Sequence, residues 1–164
     1  MEKSKLHIGI GFDSHPFAKN RKLILGGVEI PFPKGLMGHS DADCLCHSIA
    51  DALLGACGLK DIGNHFPDTD PKYKNISSLK ILAQVMKMLK TKGYKVVNID
   101  TIIICQQPKI SPYVNKMKTT LSQLLKLNSP CIGIKAKTTE ALGFAKIRSG
   151  IACYAVALLS SKKK

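Results

Sequence analysis

Residues 77–105 read SSLKILAQVMKMLKTKGYKVVNIDTIIIC, and the hydrophobic period changes inside them. Leu79, Leu82, Met86 and Leu89 recur at helical spacing with lysines between them. That pattern predicts an amphipathic helix with its apolar stripe inward, and Gly93 marks the stop. From Lys95 to Cys105 the residues turn β-branched, which predicts a strand. A helix passed directly to a strand is the repeating step of a sheet with helices laid on it.

The alternation continues on both sides. Upstream, HIGIGFDSH (7–15) reads as a strand, and RKLILGGVEIPF (21–32) as a hairpin turning at Gly26 and Gly27. PKGLMGHS (33–40) reads as a loop. A helix follows, with Ser40 as N-cap and Asp43 favoured at the positive end of its dipole. Leu45, Ile49, Leu53 and Ala56 form its apolar stripe, and Gly55 and Gly58 mark its exit. The stretch 58–75, GLKDIGNHFPDTDPKYKN, has the turn-residue density of a long loop, and long loops in compact domains tend to be functional. Downstream, 108–128 carries a helix with Ser111 as N-cap and Pro112 in its first turn. CIGIKAK (131–137) reads as a strand, TTEALGF (138–144) as a turn or short helix, and GIACYAVALL (150–159) as a buried final strand. The expectation is a single α/β domain over residues 1–164, its sheet covered by helices, with 160–164 as a frayed tail.

The chain has 164 residues, 45% of them hydrophobic, and a net charge of +14. Such charge raises nucleic acid as a partner, but Arg21 and Arg148 are the only arginines and there is no Trp. Base readout favours arginine forks and aromatic platforms, and scattered lysines suit a small polyanion equally well. No apolar run is long enough to span a bilayer, and no signal-peptide core follows MEKSKLH, so the reading is a cytoplasmic protein. The six cysteines have no C-x-x-C spacing and read as reduced, buried thiols. Six of the eleven acidic residues fall between 41 and 70, a concentration that suits a cation site.

Asp13 and His15 lie two apart on the first predicted strand, so both point to one face. His47 adds a second imidazole from the predicted helix. Two imidazoles and a carboxylate make a three-ligand zinc set with an open fourth position, as in catalytic sites. A solvated helix histidine is the plain alternative for His47. Asp43 and Asp51, each one turn from it, suit either reading, since a carboxylate also orients a metal-bound imidazole. His39 and Ser40 sit at a predicted helix N-terminus, where backbone amides attract anions. Thr138, Thr139 and Glu140 could hold a magnesium ion against phosphates, or form an ordinary capped turn.

Together these stretches resemble one family. GFDSHPF, LGGVEIPFPKGLMGHSDADCLCHSIADALLGACGLKDIGNHFPDTDP, KGYKVVNIDTIIICQQPKISPY, IKAKTTEALGF and GIACYAVALL follow, in order and over nearly the whole chain, the pattern of 2-C-methyl-D-erythritol 2,4-cyclodiphosphate synthases. The resemblance implies an α+β sandwich with a mixed sheet, assembled as a homotrimer whose sheets face the three-fold axis. It implies cyclisation of a cytidine diphosphate substrate with loss of CMP, in non-mevalonate isoprenoid synthesis. It puts zinc on Asp13, His15 and His47, and a second metal, Mg²⁺ or Mn²⁺, on Glu140. It puts His39, Ser40, Asp61, Gly63, Phe66 and Asp68 around the methylerythritol phosphate, with His39 and Thr138 in the catalytic set. Cys105, Pro108, Lys109 and Ile110 fall on the cytidine pocket, and Thr138 and Thr139 on its phosphates. Phe144 falls on an axial cavity that holds isoprenoid diphosphates in relatives. Two positions depart from the pattern. Lys137 replaces a small hydroxyl residue, and Lys146-Ile147-Arg148-Ser149-Gly150 replaces Gly-Arg-x-Glu-Gly, which counts against the axial site here.

Overall fold

The computed structural model describes residues 5–138 and 150–161. Its main sheet has five strands in the order β4-β1-β7-β5-β6. These are β1 (Lys5–Ala18), β4 (Gly35–Leu36), β5 (Tyr94–Ile104), β6 (Ile132–Lys137) and β7 (Gly150–Ser161). The β5–β6 pair is parallel, and every other pairing in the sheet is antiparallel. The sheet is therefore mixed, and the fold is α+β. The predicted hairpin is a separate ribbon, β2 (Leu23–Leu25) and β3 (Val28–Ile30), closed by Gly26 and Gly27 at φ +55° and +72°. Both glycines are left-handed, as a two-residue hairpin turn requires.

Three longer helices cover one face: α1 (Cys44–Ala56), α3 (Ser78–Thr91) and α4 (Val114–Leu125). A short α2 (Ile62–His65) lies inside the long loop. Helix α1 is central. Only Asp51 and Gly55 of its residues escape burial, and Leu45, Ile49, Leu53 and Leu54 are fully enclosed. Burying side chains of that size is worth about 1.5–3 kcal/mol each. Strand β1 lets α1 come close because its inward positions are small. A Cβ on Gly9 would meet the Ala52 carbonyl oxygen at 2.2 Å, and one on Gly11 the Ser48 carbonyl oxygen at 2.0 Å. The other face of the sheet is bare along β1, with Leu6, Ile8 and Ile10 at 63%, 72% and 70% exposure.

Four local expectations need correction. Helix α1 starts at Cys44, and its N-cap is Asp43, whose carboxylate accepts the Cys46 amide. Ala42 is left-handed at φ +57°, so no helix runs through it from Ser40. Ser111 opens a 3₁₀ turn (Ser111–Tyr113) with no side-chain cap, and α4 begins after it. In α3 the fully buried apolar side chains are Ile81, Leu82, Val85 and Leu89, with Leu79 and Met86 half-buried against the same core. Strand pairing in β7 continues to Ser161 opposite Lys5, past the point where the tail was expected to fray. Thr139, Glu140, Phe144 and residues 146–149 lie outside the described residues. Among the described residues no helix is long and apolar enough to cross a membrane.

Candidate active site and metal centre

Two elements meet to build the site. On β1 the inward positions run Gly9, Gly11, Asp13, His15, so the two glycines that seat α1 are followed by two polar side chains at its N-terminal end. There His47 faces them. Asp13 Oδ2 lies 2.9 Å from His15 Nε2 and 3.0 Å from His47 Nδ1, and the two ring nitrogens are 3.3 Å apart. One ligand atom from each residue fits within a 4.8 Å span. Two nitrogens and a carboxylate oxygen so close suit one divalent ion such as zinc.

The electrostatics agree. Burial raises the Asp13 carboxyl, but the hydrogen bonds and charge of His15 and His47 outweigh it and hold it well below the usual carboxylate range. Burial lowers His47, yet Asp13 raises it above its ordinary value. Both shifts have one cause, the favourable placing of positive charge between Asp13 and the imidazoles.

Asp43 and Asp51 do not orient His47. The buried Asp43 carboxylate accepts the amides of Gly26, Gly27 and Cys46 and so ties the hairpin to α1. Asp51 accepts the Ile62 amide and holds the start of α2. The second nitrogen of His47, Nε2, faces Ser78 Oγ at 2.8 Å and Ser40 Oγ at 3.3 Å. Ser78 went unrecognised in the sequence because it looks like any helix-opening serine.

A cavity of about 380 Å³ opens beside the three residues, lined also by His39, Ser40, Gly63, Phe66, Asp68 and Tyr73. His39 Nε2 is buried with no hydrogen-bond partner among the described residues. Arg21 clamps the chain on either side of His39, donating to the Gly38 carbonyl at 3.0 Å and, through a short bond, to that of Ser40. Sequence reading overlooked this arginine too. Asp61 lines a different recess, with Asp51 and Phe12, and its carboxylate caps α2 by accepting from Asn64.

A second cavity, about 550 Å³, gathers Cys105, Pro108, Lys109, Ile110 and Thr138 with Phe32, Gln106, Gln107 and Lys137. Cys105 donates to the Gln107 carbonyl at 3.0 Å, and burial pushes its thiol up to about 12. That hydrogen bond shapes the loop. The departing residue Lys137 borders this cavity and accepts the Cys105 amide on its carbonyl.

The YgbB family profile matches residues 6–160, nearly the whole chain and all of the site described above.

The chain belongs to the YgbB family.

Within the family it is similar to the 2-C-methyl-D-erythritol 2,4-cyclodiphosphate synthase of Caldicellulosiruptor bescii, 57% identical over 152 residues, covering 93% of this chain and 97% of the relative. It also resembles the solved bifunctional IspDF of Campylobacter jejuni, with 40% identity and a TM-score of 0.91. That match covers 97% of this chain but 43% of the longer one, so the chain spans less than half of that two-function protein. The Plasmodium falciparum IspF structure in complex with CDP matches at 34% identity and a TM-score of 0.82, covering 96% of this chain and 97% of the other.

Proposed function

We propose that this chain converts 4-diphosphocytidyl-2-C-methyl-D-erythritol 2-phosphate to 2-C-methyl-D-erythritol 2,4-cyclodiphosphate and CMP. The observation that carries the reading is the Asp13–His15–His47 cluster beside a cavity that His39 and Ser40 also line. A 2-phosphate oxygen forms a bond to the β-phosphorus, the bond from that phosphorus to the CMP oxygen breaks, and the electron pair leaves with CMP. The attacking phosphate is already ionised at neutral pH, so no general base is needed.

The protein's task is to fold one molecule onto itself. Fixing the reacting groups in line can remove roughly 7–11 kcal/mol of barrier. His39, on the wall of the first cavity, serves a phosphate oxygen there, and Arg21 holds its backbone in place. Gly63, Phe66 and Asp68 wall the pocket for the methylerythritol phosphate. Lys109, with Pro108, Ile110 and the Cys105 loop, forms the pocket for cytidine, and Thr138 and Thr139 serve the phosphates. A relative solved with CDP bound supports a nucleotide at such a site. Asp13, His15 and His47 would hold zinc, which when bound offsets the repulsion between phosphates. Glu140 would hold Mg²⁺ or Mn²⁺.

The two cavities have separate linings in one chain, which supports sites shared between neighbouring copies of a trimer. The bare apolar face of β1 supports the same assembly, since contiguous exposed apolar surface marks contact with another chain. The lysine-rich surface leaves a basic nucleic-acid-binding protein as the competing reading. His47→Ala separates them. We expect it to lose bound zinc and at least about 100-fold in CMP release. Nucleic-acid binding through lysines would be unchanged. Full activity in a zinc-free variant would sink the proposal.

A further inference from the structure

We infer that Ser78 and Asp41 position His47, holding a proton on Nε2 so that Nδ1, beside Asp13 and His15, is the nitrogen that exchanges its proton for a metal ion. The inference rests on the reading of those three residues as metal ligands and goes beyond it to the residues that aim the ring.

Ser78 is the first residue of α3 and is 1% exposed. Its hydroxyl lies 2.8 Å from His47 Nε2 and makes a short hydrogen bond to Asp41 Oδ1. A hydroxyl has one proton, and a carboxylate can only accept. The Ser78 proton therefore goes to Asp41, and Ser78 Oγ can serve His47 only as an acceptor. Nε2 must then carry hydrogen. That leaves Nδ1, hydrogen-bonded to Asp13 Oδ2 at 3.0 Å, as the nitrogen that exchanges its proton for a metal ion.

Asp41 is well placed to fix this polarity. Its two oxygens each accept the Ser78 amide at 3.1 Å, while Ser77, the helix N-cap, makes no side-chain cap bond. A carboxylate from a distant segment thus caps a helix of 14 residues, where the helix dipole favours negative charge. Backbone bonds from Asp41 to Ile76 (3.0 Å) and from Asn75 to His39 (2.8 Å) lock the two segments in register. Hydrogen-bonded partners behind a metal-binding histidine set its tautomer and raise its basicity.

A purely structural role, capping α3, would use only the Ser78 amide and would survive loss of the hydroxyl. The test uses the full chain loaded with zinc and ¹⁵N-labelled at histidine. In the wild type, NMR should show His47 protonated at Nε2 and metal-bound at Nδ1, with the Nε2 proton far downfield and slow to exchange. In Ser78→Ala that resonance should move upfield or vanish by exchange. Zinc affinity, read by competition with a chromophoric chelator, should fall about 10-fold or more. Asp41→Asn, whose amide can donate to Ser78 Oγ and reverse the chain of donors, should weaken zinc likewise. Zinc on Nε2 in the wild type, or affinities within about two-fold for Ser78→Ala, would overturn the inference. So would a wild-type chain that takes up no zinc, together with the metal site itself. The tautomer and affinity results are independent of CMP release, so a chain that shows them without turnover contradicts only the proposed reaction.

Discussion

His47 is bonded at both ring nitrogens, and the two sides ask different things of it. Ser78 holds Nε2, while Nδ1 faces Asp13 and His15. In the metal-free chain this gives a pH dependence with a definite sign. His47 is raised above its ordinary 6.5, so its pairing with Asp13 contributes stability that is whole below that value and lost as pH rises through the raised one. Asp13 is depressed below its ordinary 3.8, so its contribution is whole above that value and lost only in strong acid. Thermal melting of chelator-treated protein should therefore show a lower Tm at about pH 8.5 than at about pH 6. With zinc bound the drop should disappear. An equal drop in both forms would mean that His47 does not carry it. The sequence made Asp13 and His15 legible because strand period alone puts them on one face. It could not show Ser78, whose partner Asp41 is 37 residues away and whose position reads as a helix start.

At the scale of elements, the decisive contact is α1 lying directly on β1. Gly9 and Gly11 allow it, and the next inward positions are Asp13 and His15. Gly11→Ala would press a methyl onto the Ser48 carbonyl and the Ala52 amide, at 2.0 and 2.6 Å, and backbone cannot swing aside as a side chain can. It should cost about 3 kcal/mol or more in urea denaturation and weaken zinc uptake by moving His47 off β1. Gly58→Ala is the control. Gly58 has φ +66° but nothing within 4 Å, so only backbone strain of about 1–2 kcal/mol should appear, with zinc uptake intact. Equal effects of the two would refute the close-contact account. The longer helices and strands were readable from period, but β4 and α2, which lie in stretches that read as loops, and the onset of α1 were not. A serine, an aspartate and a helical stripe suggest a start at Ser40. Left-handed Ala42 and the three amides that converge on Asp43 move it to Cys44.

Across the whole molecule, β1 reverses the usual alternation. Its outward residues are Leu6, Ile8, Ile10 and Phe12, and its inward ones include two glycines. The sequence displayed this strand as apolar and glycine-punctuated but gave no sign of which side faced the helices. The resemblance, not any countable pattern, supplied the expectation of a trimer. If copies of the chain cover this face, Ile10→Lys should yield monomers by sedimentation. It should also lose most CMP release, if each site needs two copies. Zinc content should stay near one per chain, since Asp13, His15 and His47 come from a single copy. A trimeric, active Ile10→Lys protein would show that the face is not the interface. The net charge of +14 fits this picture without nucleic acid, because a diffuse positive field also draws a small polyanionic substrate.

The most direct test of the central claim is CMP release from 4-diphosphocytidyl-2-C-methyl-D-erythritol 2-phosphate by the purified chain, with the second product identified by ³¹P NMR, before and after treatment with a chelator. The account predicts CMP and a cyclic diphosphate in equal amounts, abolished by the chelator and restored by zinc together with Mg²⁺ or Mn²⁺. Folded, zinc-loaded protein that releases no CMP, or releases it unchanged after its metal is gone, would contradict it.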